Sequence, residues 1–215
     1  MAHRRVARHG VLVALVAAAA VLLAGCSGSG YNYVKSSDYN TYFKVPDRWK
    51  LYDTGTLLDP KVSGLSQDEA DAQAESKWLT AFDASPTPRL SHLFRAKNHP
   101  WGVASVQEIP PEAADTVSLQ SLRNLFFDID GTEETDPAEV ISYEPVNLDG
   151  GFHGSHLVAK VVQKNGSSLT VNQIAVLDQA TSKLYTIVVS CTSTCYEKNQ
   201  SKIEQVVNSW TVRDS

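Results

Sequence analysis

Methionine occurs once, cysteine three times, and no apolar run reaches the 18 or so residues that a membrane span requires. Basic side chains are in deficit, 19 against 24 acidic ones, for a formal charge of −5 at pH 7. Each shortage excludes something. The missing apolar run argues against a permanent transmembrane helix. The acid excess argues against nucleic acid and against electrostatic adhesion to anionic lipid, both of which need a basic surface. Neither a Gly-x-Ser-x-Gly elbow nor a phosphate-cradling glycine motif occurs, so the two commonest short signatures of hydrolases and nucleotide enzymes are missing.

At the N-terminus, residues 1–10 carry Arg4, Arg5 and Arg8 and no acid, and residues 11–24 are only Val, Leu and Ala. A positive start and a short apolar stretch make a secretory signal, too short to remain as a span. Arg4-Arg5 lacks the residues that follow a twin-arginine export pair, so the general route is expected. Leu23-Ala24-Gly25-Cys26 closes the stretch and resembles the lipobox of bacterial lipoproteins. That resemblance implies cleavage before Cys26 and lipidation of its thiol. Two acyl chains at about 0.8 kcal/mol per buried methylene suffice for stable anchoring. The expected location is the cell membrane, lipid-anchored, on the extracytoplasmic face.

Removing residues 1–25 takes away three arginines and no acid, which leaves 16 basic and 24 acidic residues and a charge of −8. The domains expected are a signal peptide over 1–25, a flexible tether over 26–40, rich in Ser, Gly and Asn, and one folded domain over 41–213. With Cys26 lipidated, Cys191 and Cys195 remain, and an even pair in an exported protein reads as a disulfide. The alternative, a redox pair, fits poorly because three residues separate them rather than two.

Within the domain, Thr41–Pro46 and Arg48–Asp53 read as short strands around a Pro-Asp turn. Ser66-Gln67-Asp68-Glu69 is a capping box. Ala70, Ala74, Trp78 and Phe82 then recur every four residues, which predicts a helix over 70–82. Residues 90–97 and 101–109 read as a hairpin around Asn98-His99-Pro100. A second helix is expected from Thr116 or Ser118, with Leu119, Leu122, Phe126 and Ile129 on one face. Residues 140–148, 153–163, 169–177 and 183–191 form an antiparallel meander, the middle pair joined by Asn165-Gly166 as a two-residue turn. Residues 195–209 read as a helix carrying Ile203, Val206, Val207 and Trp210, and Thr211–Val212 as a closing edge strand. The fold class expected is α+β, an antiparallel sheet with helices on its faces.

Tyr42-Phe43-Lys44-Val45-Pro46-Asp47-Arg48-Trp49 resembles the opening of PsbP-like domains, and Ser209-Trp210-Thr211-Val212 with the helix before it resembles their close. Actinobacterial lipoproteins of the LpqN type are similar in plan: lipobox, polar tether, one such domain. The resemblance implies an α/β/α sandwich and a mainly non-enzymatic accessory or binding role. Plant relatives assist photosystem II, a nuclear relative binds a Ran-type GTPase, and LpqN-type relatives are linked to cell-envelope transport. No functional residue transfers, because the matching positions hold the fold.

Several constellations invite chemistry. His153 and His156 with Cys191 and Cys195 offer four zinc ligands, but positions i and i+3 of a strand face opposite ways. Asp128-x-Asp130-Gly131 with Glu133, Glu134 and Asp136 suggests calcium, yet an EF-hand register puts Phe126 and Pro137 at its first and last positions. Whether this acidic stretch, residues 128–139, binds a cation stays open. A histidine-based hydrolase would need His92, His99, His153 or His156 to meet an acid or hydroxyl partner. Trp78, Phe82, Trp101 and Phe152 could line an apolar groove. No catalytic residue, metal or cofactor is assigned. The function expected is that of a membrane-anchored accessory or binding module whose partner is a cell-envelope membrane protein; the alternative is a carrier or sensor of a small apolar ligand or lipid.

Overall fold

The structure is a computed structural model that describes residues 30–132, 137–163 and 165–213. Strands β1 (Tyr31–Ser36), β2 (Thr41–Pro46) and β3 (Lys50–Asp53) lead into three short helices, α1 (Thr54–Leu58), α2 (Pro60–Ser63) and α3 (Gln67–Ser76). Strands β4 (Lys77–Asp83) and β5 (Trp101–Glu108) follow, then helices α4 (Pro111–Ala114) and α5 (Leu119–Arg123). The last third is β6 (Glu139–Asn147), β7 (His153–Val162), β8 (Ser168–Leu177), β9 (Lys183–Thr192), helix α6 (Ser193–Val207) and β10 (Thr211–Val212).

A seven-stranded antiparallel sheet of order β3-β4-β5-β9-β8-β7-β6 forms the centre, and β1-β2-β10 form a second, three-stranded sheet. Strand alternation sends Ile187, Val189 and Cys191 of β9 to one face, where they meet Ile203, Val206 and Val207 of α6 and Phe43 and Val45 of β2 in the largest core cluster. The opposite face carries smaller clusters around Val103, Val171 and Val188, around Leu122 and Ala175, and around Leu157 and Ala159. Helices α1 and α5 and the long β4–β5 loop supply the residues packed there. The expected α+β class therefore holds, as do the meander, the final helix and the edge strand β10.

Several expectations fail for identifiable reasons. Residues 26–40 are not all tether: Tyr31–Ser36 pairs along β2, with Val34 opposite Phe43. The two strands read around Pro46-Asp47 do form, as Thr41–Pro46 and Lys50–Asp53, but in different sheets: β2 belongs to the small sheet and β3 to the large one. The helix predicted over 70–82 stops at Ser76, and Lys77–Asp83 is a strand paired on both sides. A spacing of four fits a helical turn and two strand repeats alike, so Trp78 and Phe82 share a face in either structure. Only Ala70 is buried on α3. The capping box does form, with Ser66 N–H donating to Glu69 Oε2 at 2.9 Å and Glu69 N–H to Ser66 Oγ at 3.3 Å.

The predicted hairpin partner of β5 is absent: residues 84–100 form a loop with one 3₁₀ turn, Leu90–His92, and β5 lies between β4 and β9. The helix expected from Thr116 or Ser118 does open at Ser118, its N-cap, but it ends at Arg123 as α5, short of Phe126 and Ile129; α4 is a separate turn before it. Between β7 and β8, Gln163 N–H donates to Ser167 O at 2.8 Å. Three residues, not two, are therefore enclosed, and Gly166 takes the left-handed position at φ 77°. Among the described residues no helix is long and apolar enough to cross a membrane. Cys26 and the signal segment lie outside the described residues.

Candidate functional site

Two features of the face opposite α6 have chemical potential, and they share one loop. The first is a cavity of about 380 Å³ over β4, β5 and β9. Leu79 and Val103 belong to its sheet side, Leu57 of α1 and Leu93 and Phe94 of the β4–β5 loop form one wall, and Leu125 and Phe126 form another. Polar groups are few: Ser105 and Thr186 share a 2.6 Å hydrogen bond in the lining, and Lys77 and Gln107 also contribute. Ring contacts place the loop wall. Phe94 packs on Trp101 at 5.1 Å and on Phe126 at 6.1 Å between centroids, and Trp101 Nε1 donates to Arg95 O at 2.8 Å. Phe94 adopts φ 58°, a conformation that costs a bulky L-residue energy and is held here by these contacts.

The second feature is a carboxylate with two imidazoles. Asp83 ends β4 and is fully buried. Its Oδ1 accepts from Ser85 N–H at 2.9 Å and its Oδ2 from Arg89 N–H at 2.8 Å, which folds the start of the loop around it. His92 Nδ1 lies 2.8 Å from Oδ2, and His99 Nε2 lies 3.5 Å from Oδ1 and 3.1 Å from His92 Nδ1. Burial pushes His99 below the usual imidazole value; the Asp83 charge opposes this, and His92 and Lys97 add to it. Loops of this length without regular structure are uncommon unless they serve a site.

The residues singled out in the sequence fall elsewhere. Cys191 and Cys195 are bonded to each other, with Cα atoms 5.8 Å apart, so they are not free to join a zinc site. His153 Nδ1 lies 3.2 Å from Gly151 O, and His156 Nε2 donates to Asn172 Oδ1 at 2.8 Å. Asn172 Nδ2 in turn donates to Tyr196 of α6 at 3.0 Å, a link between sheet and helix. Burial raises the Tyr196 pKa above the ordinary phenol value. In the acidic stretch, Asp130 accepts hydrogen bonds from Asn124 and Gln120 and pairs with Arg123. These donors occupy both of its oxygens. Glu133, Glu134 and Asp136 lie outside the described residues.

Of the aromatics expected in a groove, Phe82, Trp101 and Phe152 are buried core and Trp78 packs against the α6-side cluster. The aromatics lining the cavity are Phe94 and Phe126 instead. His92 and His99 do meet an acid, but among the described residues no hydroxyl or thiol is hydrogen-bonded to either ring. Sequence reasoning passed over Asp83 altogether. Its only signal was two of the six histidines falling seven residues apart in a proline-bearing stretch, a spacing that matches no compact ligand motif.

No protein-family model matches the chain, and no curated protein matches it in sequence. Among solved structures, the cyanobacterial PsbP of Synechocystis superposes with a TM-score of 0.51 at 16% identity, covering 88% of this chain and 96% of its own. LpqN of Mycobacterium tuberculosis, involved in cell envelope biogenesis, superposes at 0.45 with 15% identity, covering 86% and 91%. A Ran-binding protein of Saccharomyces cerevisiae superposes at 0.41 with 12% identity, covering 86% and 96%. The cyanobacterial match and the antiparallel sheet flanked by helices agree on one point: this chain has a PsbP-like fold.

Proposed function

We propose that the protein is an extracytoplasmic lipoprotein, anchored through Cys26, that works as a non-catalytic binding module of the cell envelope. In this reading its cavity holds an apolar or amphiphilic ligand. The observation that carries it is the cavity itself. Its volume of about 380 Å³ falls in the range of small-molecule sites, about 300–1,000 Å³. Leucines, valine and two phenylalanines would take an apolar chain, while Lys77 and Gln107 offer a cation and an amide to a polar or anionic head. The test is displacement of a fluorescent polyene fatty acid from the full chain in detergent below its micellar concentration. One-to-one binding is expected, at least tenfold weaker in Val103→Trp, which fills the cavity from the sheet side. Equal binding by the variant would overturn the cavity reading.

A second reading, docking on a membrane-proximal envelope protein, draws on a different surface. Edge strand β6 leaves Val140, Ile141 and Tyr143 at 45%, 58% and 38% exposure. Cross-linking in cells should then join β6 to a single membrane protein, and only when Cys26 is intact. A cross-link pattern unchanged by Ile141→Glu would exclude β6 as the docking surface.

A further inference from the structure

The Asp83–His92–His99 cluster is better suited to a cation than to protons. Every arrangement of ring protons leaves one contact unfavourable. With a proton on both facing nitrogens, two N–H groups abut at 3.1 Å. With the proton on His99 alone, the His92 lone pair faces a carboxylate oxygen at 2.8 Å. With the proton on His92 alone, it must be shared between two acceptors while the His99 lone pair faces Oδ1 at 3.5 Å. A cation among the three groups turns all of these lone pairs into ligands.

The distances suit one. A tetrahedral centre with bonds of about 2.0–2.1 Å has ligand–ligand edges of about 3.3–3.4 Å. His92 Nδ1 lies 3.1 Å from His99 Nε2 and 2.8 Å from Asp83 Oδ2, Asp83 Oδ1 lies 3.5 Å from His99 Nε2, and one ligand atom from each residue falls within 4.8 Å of the other two. The carboxylate is already aimed. Each oxygen accepts one backbone N–H, from Ser85 or Arg89, and keeps a lone pair, the kind of supporting contact that orients a metal ligand. No lysine or arginine side chain is paired with Asp83 among the described residues. Two imidazoles with one carboxylate suit borderline divalent transition metals, whereas calcium and magnesium take oxygen ligands. The His92 and His99 side chains are 13% and 21% exposed, against 0% for Asp83, so the accessible side of the cluster is the histidine side.

We propose that Asp83, His92 and His99 bind a divalent transition-metal ion of zinc-like character, with its remaining coordination position open to solvent. The ion ties the end of β4 to both arms of the 84–100 loop. Leu93 and Phe94 follow His92 directly, so metal occupancy also fixes the loop wall of the cavity.

The test titrates the chelator-treated full chain with Zn²⁺ alone by calorimetry and with Co²⁺ alone by visible absorption. One ion per chain and a low-symmetry cobalt spectrum are expected. His92→Gln and His99→Gln should each weaken binding at least about tenfold, while His153→Gln and His156→Gln leave it unchanged. His99 is the more exposed of the two ligands, so His99→Gln keeps the test valid if His92→Gln fails to fold. Two results would overturn the site: no stoichiometric binding by the parent chain, or undiminished binding by the His92→Gln/His99→Gln double variant. The second result would assign the ion to other histidines, including His3 and His9.

Discussion

At the scale of the residue, covalent and electrostatic ties fasten the chain at particular points. Cys191 is fully buried at the end of β9 and Cys195 nearly so in the first turn of α6. Their bond therefore sets how the last helix leaves the sheet. The closed loop is short, so the chain-entropy gain is about 2 kcal/mol, the low end for a disulfide. Replacing both cysteines with alanine should lower the melting temperature by about 4–8 °C in a chain of this size, read by circular dichroism. Asp130 makes a different kind of tie. Hydrogen bonds from Asn124 and Gln120, then the Arg123 charge, hold its carboxyl below the usual carboxylate range. A depressed folded pKa contributes stability above the unfolded value, near 4, and loses it as the pH falls through the folded one. Asp130→Asn should therefore be less stable than the parent at pH 7. Thermal melts should show that gap closing as the pH falls below about 4.

Elements in this fold are held by cross-strand fit and by one amphipathic helix. Gly154 of β7 has no room for a side chain: a Cβ would fall on Ala175 O, with Val176 Cα 2.7 Å away, both backbone atoms of β8. Gly154→Ala should cost about 1–3 kcal/mol in chemical denaturation, because β7 and β8 cannot both keep their register. Helix α6 depends on burial. Ile203, Val206 and Val207 are all 0% exposed against the sheet. Ile203→Ala should cost about 2–5 kcal/mol, the range for emptying a packed core position. Helix α3 contrasts with it, since its capping box stands on a helix that buries only Ala70. Removing that box by Ser66→Ala should destabilise the chain by about 1 kcal/mol at most.

For the whole molecule, the position of β1 bears on how the domain would sit at a membrane. Tyr31 opens β1 five residues after Cys26, and five residues span at most about 18 Å when extended. A tether over residues 26–40 would have allowed far more freedom. A lipidated Cys26 would therefore keep the β1–β2 end of the domain close to the bilayer. On the lipoprotein reading proposed above, Cys26→Ser should move the protein from the membrane to the soluble fraction on cell fractionation.

Much of the architecture was legible in the sequence where local pattern and tertiary pairing agree. The meander β6–β9, α6 with Ile203, Val206 and Val207, and the Cys191–Cys195 pair each carry their own periodicity or spacing. Local pattern also determined the Ser66–Glu69 cap. The tertiary structure alone decided the rest. A four-residue spacing between Trp78 and Phe82 suits helix and strand equally, and only the pairing of β4 with β3 and β5 selected the strand. Nothing local marks Tyr31–Ser36 as a strand until β2 lies beside it. The cavity and the Asp83–His92–His99 cluster were invisible for the same reason. The cavity residues, from Leu57 to Thr186, are far apart along the chain and meet only through packing of the loop on Trp101 and Phe126. Asp83, His92 and His99 are near in sequence but converge only because the 84–100 loop folds back around the Asp83 carboxylate.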